Sequence, residues 1–249
     1  MTHELVLLVL FAASAFAGAQ NALAGGGSFV TFPALLLAGL DPRAANITST
    51  VALFPGQVVS GWVGRSMVEG TRSLPLRALV AVSVLGGAVG AVLLLATPAT
   101  FFARLVPWLV LFATGVFAWG SFGRRPSLEG SRMGAVPAGV LQFLIAAYGG
   151  YFGGGIGFLM LAALTAAGLA VRAAGATKNL LAGVINAGGL CIFLFSPDVH
   201  WREAAVVCAG ALVGGLGGAW LLRRVPEQVL RIGVVAIGAA LTVGLFLRQ

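Results

Sequence analysis

The block GGGSFVTFPALLLAGLDPRAANIT at residues 25–48 returns as GGIGFLMLAALTAAGLAVRAAGAT at residues 154–177, 129 positions later and without a gap. Twelve of the 24 aligned positions are identical, including Gly25-Gly26 and Gly154-Gly155, Phe29/Phe158, Arg43/Arg172 and Thr48/Thr177. A later stretch repeats at an offset of 128, where Gly86-Gly87, Gly90-Ala91 and Pro98 return as Gly214-Gly215, Gly218-Ala219 and Pro226. Self-similarity at a fixed spacing means one structural unit used twice. The halves fall at 1–125 and 126–249 and are read as two repeats of one integrated domain.

The medium in which these units fold follows from their polarity. Apolar residues make up 59% of the chain and charged residues 9%, against about 25% charged in soluble domains, and mean hydropathy is +1.01. Uncharged stretches of about 20 residues have the length of a membrane-crossing helix, and no alternating strand pattern points to a barrel. The fold class is therefore an all-α polytopic membrane protein, with the lipid bilayer as its first partner. A net charge of +8 would suggest nucleic acid in a soluble chain. Here the basic residues sit mostly at the ends of apolar runs, where they act as orientation signals, and no nucleic-acid partner is expected. Cys191 and Cys208 lie inside apolar runs without CxxC spacing, and His3 and His200 lie at helix ends, so no metal or cofactor is expected. The apolar N-terminus resembles a signal peptide but lacks Lys or Arg in its first residues. Its counterpart before the second block is internal, and it is expected to remain part of the protein.

Each half contains five apolar segments, of which the second (about 28–40 and 156–169) is near 13 residues. At 1.5 Å per residue this is about 20 Å of helix, short of a hydrocarbon core of about 30 Å. Segments one and two, whether two crossings or one re-entrant hairpin, return the chain to its starting side. Three further crossings make each half odd, so halves joined in series have opposite orientations. Counting loop Lys and Arg tests this inversion. Inverted halves put 11 basic residues inside and 4 outside, whereas parallel halves of four crossings split them 8 to 7. The sequence thus predicts two inverted-topology repeats with both termini periplasmic.

Contiguous glycines at 25–27 and 153–155 break each half just before its short segment. A broken helix at membrane depth leaves backbone groups unpaired and persists where something satisfies them. The short-helix N-termini beyond the breaks present free N–H groups and partial positive charge, an anion site in outline. Inversion would bring both to the midplane from opposite faces, as in transporters with discontinuous helices. The candidate substrate-binding residues are Gly25, Gly26, Gly27, Ser28, Phe29, Thr48, Ser49 and Gln57 in the first half. In the second they are Gly154, Gly155, Gly157, Phe158, Thr177, Lys178, Asn179 and Asn186. Hydroxyl and amide donors suit an oxyanion, and the same groups also suit plain interhelical hydrogen bonding. Lys178 either reaches back to the cytoplasmic surface or joins the site. Arg43 and Arg172 either guide or gate anions at the two mouths or serve as helix-end charges. All seven carboxylates sit at termini, loops or segment ends, so no Asp/Glu proton relay is evident.

With the Gly-rich break, the short apolar helix and the A-x-x-T-S element at Ala45 to Ser49, the chain resembles the sulfite exporter TauE/SafE family. The second half repeats the pattern as YGGYFGGGIGF (Tyr148 to Phe158) and RAAGATKN (Arg172 to Asn179). The resemblance implies a bacterial inner-membrane permease exporting sulfite or a related sulfur-containing anion such as a sulfonate; alternating access at the midplane is the expected mechanism, and the spans offer no catalytic constellation that would make the chain an enzyme. A second reading, a non-transporting assembly or scaffold subunit, predicts no solute cavity between the halves. Glycines with GxxxG spacing, Gly86/Gly90 and Gly210/Gly214/Gly218, suit either internal packing or a homodimer interface.

Overall fold

The computed structural model describes residues 3–23, 26–122, 134–221 and 227–247, and among these the regular structure is entirely helical. The elements are α1 (His3–Leu23), α2 (Ser28–Leu37), α3 (Pro42–Val63), a 3-10 turn (Arg65–Met67), α4 (Leu76–Ala96) and α5 (Ala99–Phe122). The second half supplies α6 (Ala135–Tyr151), α7 (Ile156–Ala166), α8 (Val171–Phe193), α9 (Trp201–Leu221) and α10 (Glu227–Phe246). Among the described residues, four helices are long and apolar enough to cross a membrane: α1, α4, α5 and α8. Helix α3 has 22 residues but is interrupted by Asn46, Thr48, Ser49, Thr50, Gln57 and Ser60, polarity that suits a position inside the bundle.

The short helices α2 and α7 have 10 and 11 residues, and both end the same way. Gly39 and Gly168 turn into the left-handed region at φ 98° and 92°. Gly39 N–H then donates to Leu36 O and Leu40 N–H to Leu35 O, and Gly168 and Leu169 repeat this with Thr165 and Leu164. This Schellman closure needs glycine at the turning residue. The repeated Gly-Leu pair is its sequence trace.

The next helix starts differently in the two halves. Asp41 caps α3 by accepting from the backbone N–H groups of Arg43 and Ala44, while its counterpart Ala170 offers α8 no side-chain cap. Their backbones match, at φ −67°, ψ 159° and φ −59°, ψ 146°. Ala170→Asp is therefore expected to raise stability by about 1 kcal/mol and Asp41→Ala to lower it similarly, read as opposite shifts of thermal midpoint in detergent. A fall on Ala170→Asp would refute the shared capping geometry.

The halves interlock. Helix α1 packs chiefly on α9 and α6 chiefly on α4, so the first helix of each half leans on the fourth helix of the other. Glycines set both contacts: Gly18 faces Ala211 and Gly214 faces Ala15, while Gly86 faces Phe143 and Ala146 and Gly90 faces Ala147 and Tyr151. The GxxxG glycines at 86/90 and 210/214 thus serve packing within the chain. The repeat-equivalent helices α3 and α8 lie side by side and antiparallel. Gln57 meets Asn186, Gly61 faces Leu180 and Gly64 faces Ala176. Helices α5 and α10 are antiparallel as well, with Trp108 edge-on to Phe246 and Gly238 against Thr114. One apolar core, including Leu10, Phe117, Phe193 and Val234, draws on both halves.

Candidate functional site

At the junction of α2, α3, α7 and α8 lies a cavity of about 690 Å³, counting the part continuous with the exterior. Its walls are made of repeat-equivalent pairs: Gly26/Gly155, Gly27/Ile156, Ser28/Gly157, Ser49/Lys178, Thr50/Asn179, Leu53/Ala182 and Gln57/Asn186. Every pair is separated by 129 positions. Asn186 Nδ2 donates directly to Gln57 Oε1, a bond between residues that are equivalent in the sequence repeat.

Local geometry explains why these residues arrive there. Gly26 and Gly155 hold φ of 85° and 76°, left-handed values that strain any residue with a Cβ, and each turns the chain from its long helix into a short one. The N-termini of α2 and α7 then open on the cavity. Not all their N–H groups are free, because Phe29 N–H donates to Gly26 O and Phe158 N–H to Gly155 O. The amides of Ser28 and Gly157 have no partner among the described residues. On α3, Ser49, Leu53, Gln57 and Ser60 recur at helical spacing on one face, and Lys178, Ala182 and Asn186 do the same on α8.

Lys178 is the cation of this cavity. The residue is 8% exposed, and a Cβ added at Gly157 would lie 3.6 Å from its Nζ. Among the described residues no carboxylate lies within 4.0 Å of it. The side chain therefore turns inward beside α7 instead of reaching the surface. A buried intramembrane charge of this kind is costly and marks function by default. Its repeat partner Ser49 is neutral and bonds with Thr31, 2.6 Å between the hydroxyl oxygens.

Several candidates occupy other places. Gly25 lies outside the described residues. Phe29 and Phe158 both stack edge-on against Phe117, at 5.8 and 4.2 Å between centroids, and act as packing residues. Gly154, with Phe29, lines a smaller apolar space beyond Phe152. Thr48 and Thr177 do not line the cavity. Thr48 Oγ1 donates to Asp198 O and accepts from His200 N–H, and Thr177 Oγ1 donates to Glu69 O and accepts from Glu69 N–H. Each clasps the loop before the fourth helix of the opposite half. Arg43 pairs with Asp198 at 2.9 Å and donates to Thr97 O at 3.2 Å, while Arg172 is exposed.

Sequence reasoning missed Asn21, Leu53, Ser60, Phe152, Gly153, Ile156 and Ala182 as lining residues and left Thr50 out of the candidates. Ser60 was open to detection, since it stands three residues after Gln57 on the same helical face. Asn21 follows Gln20 near the end of an apolar run, four residues before Gly25, and polarity at that point was its signal.

Residues 10–245 match the family model described as sulfite exporter TauE/SafE. The probable membrane transporter protein YfcA of Escherichia coli K12 is 28% identical over 250 residues, covering 97% of this chain and 90% of its own length. A probable membrane transporter protein of Haemophilus influenzae is 28% identical over 247 residues, with 95% and 93% covered. Probable membrane transporter protein ORF9 of a Sinorhizobium species is 30% identical over 248 residues, with 96% and 92% covered. No solved structure matches.

Proposed function

Because the chain belongs to the sulfite exporter TauE/SafE family, we propose that it is a permease moving a small sulfur-containing oxyanion, sulfite or a short sulfonate, through the cavity between its halves. It is a multi-pass bacterial membrane protein of transporter type. The observation that carries the finer reading is the cavity itself: two helix N-termini, a buried lysine without a carboxylate beside it among the described residues, and a set of amide and hydroxyl groups converge on it. A scaffold subunit has no use for such a space. The antiparallel pairing of α3 with α8 and of α5 with α10 supports an inverted relation between halves. The 11 to 4 charge split supports a cytoplasmic face carrying Arg172 and periplasmic termini.

In this reading the anion's oxygens accept from the Ser28 and Gly157 amides, from Asn179 and from Lys178, whose ammonium balances the charge that desolvation would otherwise penalise. Alternating exposure comes from movement of one set of helices against the other. An inside-negative potential of 100 mV favours exit of each negative charge by about 2.3 kcal/mol, so export needs no buried proton carrier.

Gly157 is the cleanest probe. Unlike Gly26 and Gly155 it has no positive φ, and a side chain there would enter the cavity against Lys178. Gly157→Leu is expected to abolish sulfite flux in proteoliposomes while leaving a monodisperse protein with an unchanged thermal midpoint. Wild-type flux in that variant would exclude this cavity as the route.

A further inference from the structure

Thr48 and Thr177 clasp Asp198 and Glu69, and these acidic residues are themselves 129 positions apart. Five residues before each threonine stands an arginine, Arg43 or Arg172. The two ends of the cavity therefore carry the same three-part device: a threonine clasp, a carboxylate on the clasped residue and an arginine about one and a half turns back. At one end the device is engaged, with Arg43 and Asp198 2.9 Å apart and their side chains only 21% and 19% exposed. At the other, Arg172 is exposed and, among the described residues, forms no ion pair with Glu69.

The cavity is uneven in the same sense. It extends along α3 to Ser60, toward the Arg172 end. Ser60's counterpart Gly189 faces Phe193, which is fully buried, so toward the Arg43 end the space is filled. The engaged pair lies at the filled end and the separated pair at the end toward which the cavity extends.

We propose that Arg43–Asp198 and Arg172–Glu69 are reciprocal latches, one closing each mouth of the cavity, and that the structure is the state with the Arg43 mouth shut. In the opposite state Arg172 and Glu69 pair while Arg43 and Asp198 part. This rests on the alternating-access reading above, but it concerns which mouth is open and not what is carried.

Accessibility provides the test, in a background lacking native thiols (Cys191→Ser, Cys208→Ala). Ser60→Cys reports the Arg172 mouth through its labelling rate with a membrane-impermeant maleimide. Asp198→Asn, which keeps the side chain's shape, is expected to slow that labelling by up to about fivefold, the shift in equilibrium that one partly exposed ion pair supports. Glu69→Gln added to it restores the rate. A separate Glu69→Cys/Arg172→Cys chain is expected to form a disulfide under mild oxidation, faster when Asp198→Asn is present. Unchanged labelling in Asp198→Asn, or a disulfide rate indifferent to it, overturns the latch. Thermal midpoints of all variants separate this from unfolding. If the wild-type protein carries no sulfur anion while Ser60→Cys labelling still switches, the substrate assignment fails and the latch stands.

Discussion

Replacing Lys178 with glutamine is expected to weaken sulfite binding roughly tenfold to a hundredfold and to leave the protein at least as stable as wild type. The two halves of that expectation have one cause. A hydrogen bond to a charged group contributes about 1.5–3 kcal/mol, and Lys178 is the cation among the residues lining the cavity. With ligand absent, the same residue is 8% exposed and lacks a carboxylate among the described residues, so the empty protein bears its desolvation alone. Removing it relieves the apo state while depriving the bound state of its charge partner. Titration calorimetry in nanodiscs with sulfite, alongside thermal unfolding, reads both. An affinity within about threefold of wild type, under 1 kcal/mol, would remove Lys178 from the site. A large fall in midpoint would recast it as a structural residue.

The position of Lys178 also explains what could and could not be read from the repeat. Helix boundaries were legible because the segments are long, apolar and punctuated by glycines, and the 129-residue spacing identifies which residues line the cavity in pairs. Identity between the halves is a poorer guide to the site. Of the seven pairs lining the cavity only Gly26/Gly155 is identical, whereas Thr48/Thr177, Phe29/Phe158 and Arg43/Arg172 are identical and lie elsewhere. The physical reason is that scaffold contacts occur twice in the same surroundings and want the same side chain twice. In the function proposed above, one small anion meets both linings at once, and its donors then need to be complementary, not equal. Ser49 opposite Lys178 is such a pair. The separate roles of Thr48 and Thr177 depend on loops 150 and 108 residues away in sequence, contacts that no local pattern encodes.

The largest loss of stability is expected where glycines bring helix backbones together. Lipid tails are as apolar as leucine, so the association of α1 with α9 and of α6 with α4 relies on close packing more than on exclusion of water. At Gly214 a Cβ would collide with the Ala15 carbonyl, and at Gly90 with the Ala147 carbonyl. Neither obstacle can rotate away, since both are backbone, and the helices themselves must separate. Gly214→Val and Gly90→Val are each expected to cost at least about 3 kcal/mol, the upper range for overpacking, and to abolish the monodisperse peak in size-exclusion chromatography. Gly115, inside α5 with nothing within 4 Å of its added Cβ, is the control. Gly115→Ala should be neutral or gain up to about 1 kcal/mol from helix propensity. If Gly214→Val kept the wild-type midpoint, α1 and α9 would not approach at this glycine, and the interlocking that places both short helices at one cavity would lose its basis.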